Sequence, residues 1–135
     1  MTILRIDCDA SWSPVPADPG RPPRLPGGVT EPIPVTPRAV LWTSPPGPRA
    51  APNALASALL TFLQLPIRQL QGPAYLTGCR AAAADTPVVL TPIQLRAFTS
   101  TLQALHAMPD YLALHAQAGR IAAAWFCPIT DGSFT

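Results

Sequence analysis

The chain has 135 residues, of which 48% are hydrophobic and 12% are charged, and its formal net charge is +2. This length predicts one domain spanning residues 1–135, and the hydrophobic fraction excludes an ordinary disordered chain. All nine basic residues are arginines, which excludes mechanisms that need a lysine, such as Schiff-base catalysis or phosphate binding by a lysine loop.

The start of the chain lacks the basic residues and the longer apolar core of a secretory signal. No apolar stretch approaches the roughly 20 residues that a membrane-spanning helix requires. We therefore expect a cytoplasmic protein without membrane association.

Prolines dominate the first half of the chain. After a short strand at Ile3–Ile6, thirteen of the nineteen prolines lie in residues 14–52. Because proline lacks the N–H group that helix interiors and central strands need, we expect this segment to be mostly irregular. Two strand-like islands interrupt it. Prolines restrict the first, Glu31–Val35, to a sheet edge or a short bridge, and the second is a strand at Ala39–Trp42.

The second half of the chain shows helical and strand periodicity. Apolar spacing predicts a helix over residues 55–63 with Asn53 as its cap. Two strands, residues 67–70 and 74–77, follow, with bends at Gly72 and Gly78, and residues 80–85 form an alanine-rich connector before a strand at 88–90. The residues Thr91-Pro-Ile-Gln94 have the form of a capping box at the start of a second helix.

The end of the sequence predicts one more helix and one more strand. Met108-Pro-Asp110 breaks the second helix and begins a third, which Gly119 closes. Residues 120–126 then indicate a final strand. This order predicts an α+β fold, with a small mixed β-sheet and two or three helices in a core at 53–126, wrapped by the proline-rich segment.

Residues able to bind a metal are few. Cys8, Cys79 and Cys127 are widely spaced and are most simply read as buried apolar residues, although with His106 and His115 they could meet at a zinc site in space. Asp7 and Asp9 follow the first strand, as in metal-dependent phosphotransferases, where paired carboxylates hold magnesium. The simpler interpretation is two solvated carboxylates at a strand end, and we expect no cofactor.

Surface recognition is the remaining possibility. Prolines and arginines lie close together in residues 19–24 and 45–49, and such segments resemble ligands of aromatic grooves. A stiff coil that wraps the domain would account for the same composition. Tryptophans near arginines could form a recognition patch or could be core residues. The candidate partner-binding residues are Trp12, Arg21, Arg24, Arg38, Trp42 and Arg49.

Several segments in order resemble a family of small proteins from phages, plasmids and actinobacterial genomes, domain of unknown function three-eight-four-six. The similarity covers about residues 3–102, and the segments that carry it are Ile3–Asp7, Gly27–Glu31, Ala39–Trp42, Pro52–Leu60, Gln71–Gly78 and Leu90–Leu95. The resemblance implies an accessory protein of a mobile element.

These observations favour a non-catalytic accessory or regulatory protein that binds another macromolecule, most simply a protein of the host or of the element. One alternative is nucleic-acid binding through scattered arginines and tryptophans. A second alternative is a metal-dependent hydrolase that uses Asp7 and Asp9. Low charge and abundant alanine and leucine are also compatible with a homodimer.

Overall fold

The strands and helices follow nearly the order that the sequence predicts, with one additional strand at the start of the proline-rich half. A computed structural model describes residues 2–17, 22–23, 31–44, 51–66, 69–80 and 83–115. Within these ranges, six strands and three helices form an α+β fold, which confirms the predicted class. The elements are β1 (Thr2–Ile6), β2 (Trp12–Pro16), β3 (Glu31–Thr36), β4 (Ala39–Thr43), α1 (Ala54–Phe62), β5 (Ala74–Arg80), β6 (Ala83–Val88), α2 (Pro92–His106) and a short helix α3 at 109–115.

The strands form one sheet in the order β2-β1-β5-β4-β3, with β6 also paired to β5. All the described pairs are antiparallel, where a mixed sheet was expected. On β5, β1 pairs with residues 74–76 and β6 pairs with residues 78–80, while β4 pairs with residues 75–78. Since β4 occupies one edge of β5, β1 and β6 lie in line along the other.

Gly78 is required where the end of β6 approaches β5 most closely. A Cβ atom at this position would lie 2.8 Å from the Val89 carbonyl oxygen and 3.2 Å from that of Val88. Gly72 has a different role, because its φ of +72° is a left-handed conformation that glycine adopts without strain. Gly72 is therefore the predicted bend, whereas Gly78 lies inside a strand.

Prolines lie in β2 and β3, the two end strands of the order β2-β1-β5-β4-β3. In β3, Pro32 and Pro34 stand opposite Trp42 and Val40 of β4. Neighbouring residues of a strand point their N–H groups to opposite sides. Because proline has no N–H group to donate to β4, residues 31 and 33 are the donors from β3 to β4. The nitrogen atoms of both prolines therefore face outward, and the same argument applies to Pro14 and Pro16 of β2, which pair with β1.

The main hydrophobic core lies between one face of the sheet and the helices. Alternate strand residues, among them Leu4, Leu41 and Leu76, point toward this core and are at most 1% exposed. Residues 55–60 of α1 are all buried, so this helix is enclosed on every side. The opposite face of the sheet carries a smaller cluster of Val40, Trp42 and Cys79.

Asn53 joins three parts of the fold at the start of α1. Its side chain is fully buried, and its Oδ1 accepts from the Ala56 N–H at 3.1 Å, as the predicted helix cap requires. Its Nδ2 donates to the carbonyl oxygens of Ile6 at 3.0 Å and Gly72 at 2.9 Å. The end of β1, the bend before β5 and the start of α1 are thus held by one amide.

Several sequence predictions are corrected in detail. Within the proline-rich segment 14–52, β3 and β4 match the two predicted strand-like islands, whereas β2, which the segment also enters, was not expected. The fifth strand continues past Gly78 to Arg80, and β6 begins at Ala83, inside the stretch expected to be a connector. Residues 69 and 70 are not in a strand. The predicted Gly119 cap and the strand at 120–126 lie outside the described residues.

Candidate partner-binding site

A groove of about 280 Å³ lies between the end of α1, the first half of α2 and the turn that joins β3 to β4. On α2, the residues Ile93, Ala97 and Thr101 are spaced four apart, which places them in a row along one side of the helix. The complete lining is Thr36, Leu63, Ile93, Gln94, Ala97, Phe98 and Thr101. None of these side chains carries a charge, and most of the groove surface is apolar.

The elements around the groove leave large apolar side chains exposed. Ile93, in the first turn of α2, is 78% exposed, and Phe62, at the end of α1, is 57% exposed. Val89, just before the Thr91 cap, is 53% exposed. Of these three side chains, that of Ile93 lines the groove and adds exposed apolar area to it.

The start of α2 is fixed by hydrogen bonds. Gln94 N donates to Thr91 Oγ1 at 3.1 Å, and Thr91 N donates to Gln94 Oε1 at 2.9 Å, which confirms the predicted capping box. Gln94 Nε2 also donates to the carbonyl oxygen of Arg38 at 3.0 Å. The same carbonyl accepts from Cys79 N at 3.0 Å. One side chain therefore ties the β3–β4 turn to the helix.

Arg38 is the predicted partner-binding residue that the structure places beside this groove. It follows Thr36 and Pro37 in the β3–β4 turn, its side chain is exposed, and its backbone N–H donates to Thr36 Oγ1 at 3.2 Å. Because its backbone is bonded to two groove residues, Thr36 and Gln94, Arg38 lies next to the groove.

The two tryptophans among the predicted residues lie elsewhere. Trp12 is half-buried at the far end of α2, where its ring meets the His106 ring edge-on at 5.7 Å. Trp42 is 2% exposed, and its Nε1 donates to Thr77 Oγ1 at 2.9 Å. The expectation of Trp42 in a surface patch is therefore corrected, because it is a core residue of the second face. Arg21, Arg24 and Arg49 lie outside the described residues.

The two carboxylates after β1 are engaged in local contacts. Asp7 Oδ1 accepts from Arg5 Nε at 2.8 Å, and this hydrogen bond is the main reason that the pKa of Arg5 is raised. Asp9 accepts from the hydroxyl and the backbone N–H of Ser11, and these bonds lower the pKa of its exposed carboxyl. Both carboxylates thus stabilise the β1–β2 turn through side-chain hydrogen bonds.

The candidate metal ligands do not converge in the part of the chain that is described. No group of three histidine, cysteine or acidic side chains there could hold a metal ion. Cys8 and Cys79 are free thiols, and burial raises the pKa of each, which keeps them protonated at neutral pH. Cys127 lies outside the described residues.

The histidines have other contacts. His106 Nδ1 lies 2.9 Å from the Ala10 carbonyl oxygen and His115 packs edge-on against Tyr111 at 4.6 Å between ring centres. His106 therefore connects the end of α2 to the β1–β2 turn, where Ala10 has a φ of +64°. These contacts give both rings a structural part in the described fold.

Comparison with known proteins gives no functional assignment for this chain. No family model, no curated protein and no solved structure matches the chain. The resemblance to domain of unknown function three-eight-four-six stays a prediction. Among the described residues, no helix is long and apolar enough to span a membrane.

The groove residues had not been singled out from the sequence, although one signal was present. The buried positions of α2 are Phe98, Leu102 and Leu105, which are spaced four and three residues apart, as on one face of a helix. Ile93 follows Pro92 at the start of the helix and falls outside that spacing. An isoleucine off the core face of a capped helix is expected to be exposed.

Proposed function

We propose that this chain is a non-catalytic accessory or regulatory protein that binds a protein partner through the groove between α1, α2 and the β3–β4 turn. The observation that carries the proposal is the exposure of Ile93 beside an apolar concave surface. The partner would be encoded by the host or by a mobile element.

The lining of the groove favours a protein over a small molecule. Cofactor and substrate sites usually hold a few precisely placed polar groups that orient the ligand. Here the amide of Gln94 is already bonded to Thr91 and Arg38, and the other lining residues are apolar or carry a hydroxyl. Such a surface suits one or two apolar side chains inserted by another protein.

The test is affinity capture of the tagged chain from cells that encode it, at moderate salt, with and without nuclease. Three forms are compared: the unsubstituted chain, Ile93→Asp, and Leu114→Asp as the matched control. Leu114 is 62% exposed on α3 and does not line the groove. Aspartate in the first turn of α2 interacts favourably with the helix dipole, so Ile93→Asp should fold normally.

We expect a stoichiometric protein to be captured by the unsubstituted chain and by Leu114→Asp, with or without nuclease, and to be lost with Ile93→Asp. Equal capture by Ile93→Asp would refute the placement of the site. Loss of the captured material on nuclease treatment would instead favour the nucleic-acid alternative, whose binding should weaken steeply with salt.

A further inference from the structure

The geometry next to the groove limits which conformation a partner can present. Strand β3 borders the groove through Thr36 and forms an outer edge of the described sheet. An incoming strand would have to receive N–H donors from this edge, but Pro32 and Pro34 have none. Addition of a partner strand beside the groove is therefore unfavourable.

The row of residues on α2 favours a helical occupant instead. Ile93, Ala97 and Thr101 repeat every four residues, and a second helix lying along them presents its own side chains at the same spacing. Ala97 is small, which leaves room for an inserted side chain between Ile93 and Thr101. Apolar residues at positions i and i+4 of a partner helix match this arrangement.

The charge at the rim selects for acidic residues. Arg38 is exposed beside the groove, and no ion pair joins its guanidinium to another described residue. The groove lining itself carries no charge. A carboxylate on the partner helix could therefore pair with Arg38 without competing with a residue that the structure describes.

We propose that the groove binds an amphipathic helix of a protein partner, with apolar side chains at i and i+4 inserted beside Ile93 and an acidic side chain paired with Arg38. This inference rests on the proposed function of the groove. It adds the conformation and the charge of the segment that the groove recognises.

The test uses two displayed peptide libraries selected against the immobilised full-length chain. One library presents a stable helix with randomised surface positions, and the other presents random linear peptides. We expect enrichment from the helical library, with leucine-like residues at i and i+4 and an aspartate or glutamate on one flank. Dissociation constants of selected peptides are then measured by fluorescence anisotropy.

The variants separate the apolar contact from the charge. Ile93→Asp should weaken binding about thirtyfold, as for the loss of an interface hot spot. Arg38→Glu should weaken it about tenfold, and a peptide whose acidic residue is replaced by lysine should recover affinity for Arg38→Glu. Leu114→Asp should change the affinity less than twofold.

Different failures have different meanings. Binders that depend on Ile93 but are extended, or are basic and insensitive to Arg38→Glu, would overturn this inference and leave the proposed function intact. Binders indifferent to Ile93→Asp would overturn both. A concentration-dependent dimer of the chain itself that Ile93→Asp abolishes would show that the groove takes a second copy, which also contradicts the inference.

Discussion

Replacement of Asn53 by alanine should destabilise the fold more than the loss of an ordinary helix cap. The Asn53 side chain is completely buried and makes three hydrogen bonds, one as acceptor from Ala56 and two as donor to Ile6 and Gly72. No buried side-chain polar atom among the described residues lacks a partner, so this network has no spare donor to substitute for the amide.

The expected cost follows from these bonds. Loss of a cap costs about 1 kcal/mol, and each buried carbonyl deprived of its donor costs about 1 kcal/mol more. Asn53→Ala should therefore lower the free energy of unfolding by about 3 kcal/mol. Because domains of this size have total stabilities of about 5–15 kcal/mol, the effect is large enough to measure in a folded variant.

Urea unfolding followed by tryptophan fluorescence and circular dichroism measures this difference. Asn53→Ser is the matched control, since its hydroxyl can still accept from the Ala56 N–H but cannot reach both carbonyls. It should lose about 2 kcal/mol, the cost of the two donated bonds. An Asn53→Ala variant within about 0.5 kcal/mol of the unsubstituted chain would refute the argument that this amide holds the three segments together.

Three further changes test other parts of the fold. Gly78→Ala should cost about 1–3 kcal/mol in urea unfolding, because the added Cβ lies 2.8 Å from the Val89 carbonyl oxygen; an unchanged midpoint would contradict that close approach. Substitution of both Pro32 and Pro34 by threonine restores two outward N–H groups on the edge strand β3, so sedimentation velocity should detect self-association. A control with threonine at the exposed Pro66 should not self-associate. Identical sedimentation profiles would contradict the proposal that these prolines prevent pairing at this edge. Burial lowers the pKa of His115 in the folded chain. The unfolded chain, whose histidine has a pKa of about 6.5, therefore binds more protons as the pH falls below that value, and the melting temperature should fall as the pH falls through the folded pKa. His115→Gln should reduce this pH dependence of the melting temperature, and an unchanged pH profile would refute the effect of burial.

Local sequence signals predicted most of the regular elements. The Thr91 capping box, the Asn53 cap and the edge position of Glu31–Val35 each depend on a few neighbouring residues, and the structure confirms all three. Proline restricted β3 to an edge or a short bridge, because a central strand needs N–H groups on both sides, and the structure shows the edge strand.

Features set by tertiary contacts were harder to predict. The strand β6 was expected to begin at Val88, but the chain forms a strand from Ala83, although alanine has little intrinsic preference for strands. Pairing with the far end of β5 stabilises this segment, and nothing in its own sequence indicates that partner. The strand β2 was missed for the same reason, because pairing with β1 compensates for its two prolines.

At the candidate site too, local sequence signals were predictive and features set by tertiary contacts were not. Arg38 was singled out from the sequence, but its position at the rim of a groove depends on the bond from Gln94, 56 residues away along the chain. Trp42 was predicted as a surface candidate because tryptophan near arginine is ambiguous. Its burial depends on the second face of the sheet, which hydrophobic periodicity at a short strand could not distinguish from exposure.

The central claim is that the surface around Ile93 contacts another protein in the cell. Its most direct test is photo-crosslinking in cells that encode the chain, with a light-activated amino acid placed at Ile93 or, as the control, at Leu114, which is also exposed. We expect one discrete protein adduct at Ile93 that nuclease does not remove and that is absent at Leu114. Adducts of equal yield at both positions, or an adduct to nucleic acid at Ile93, would contradict it.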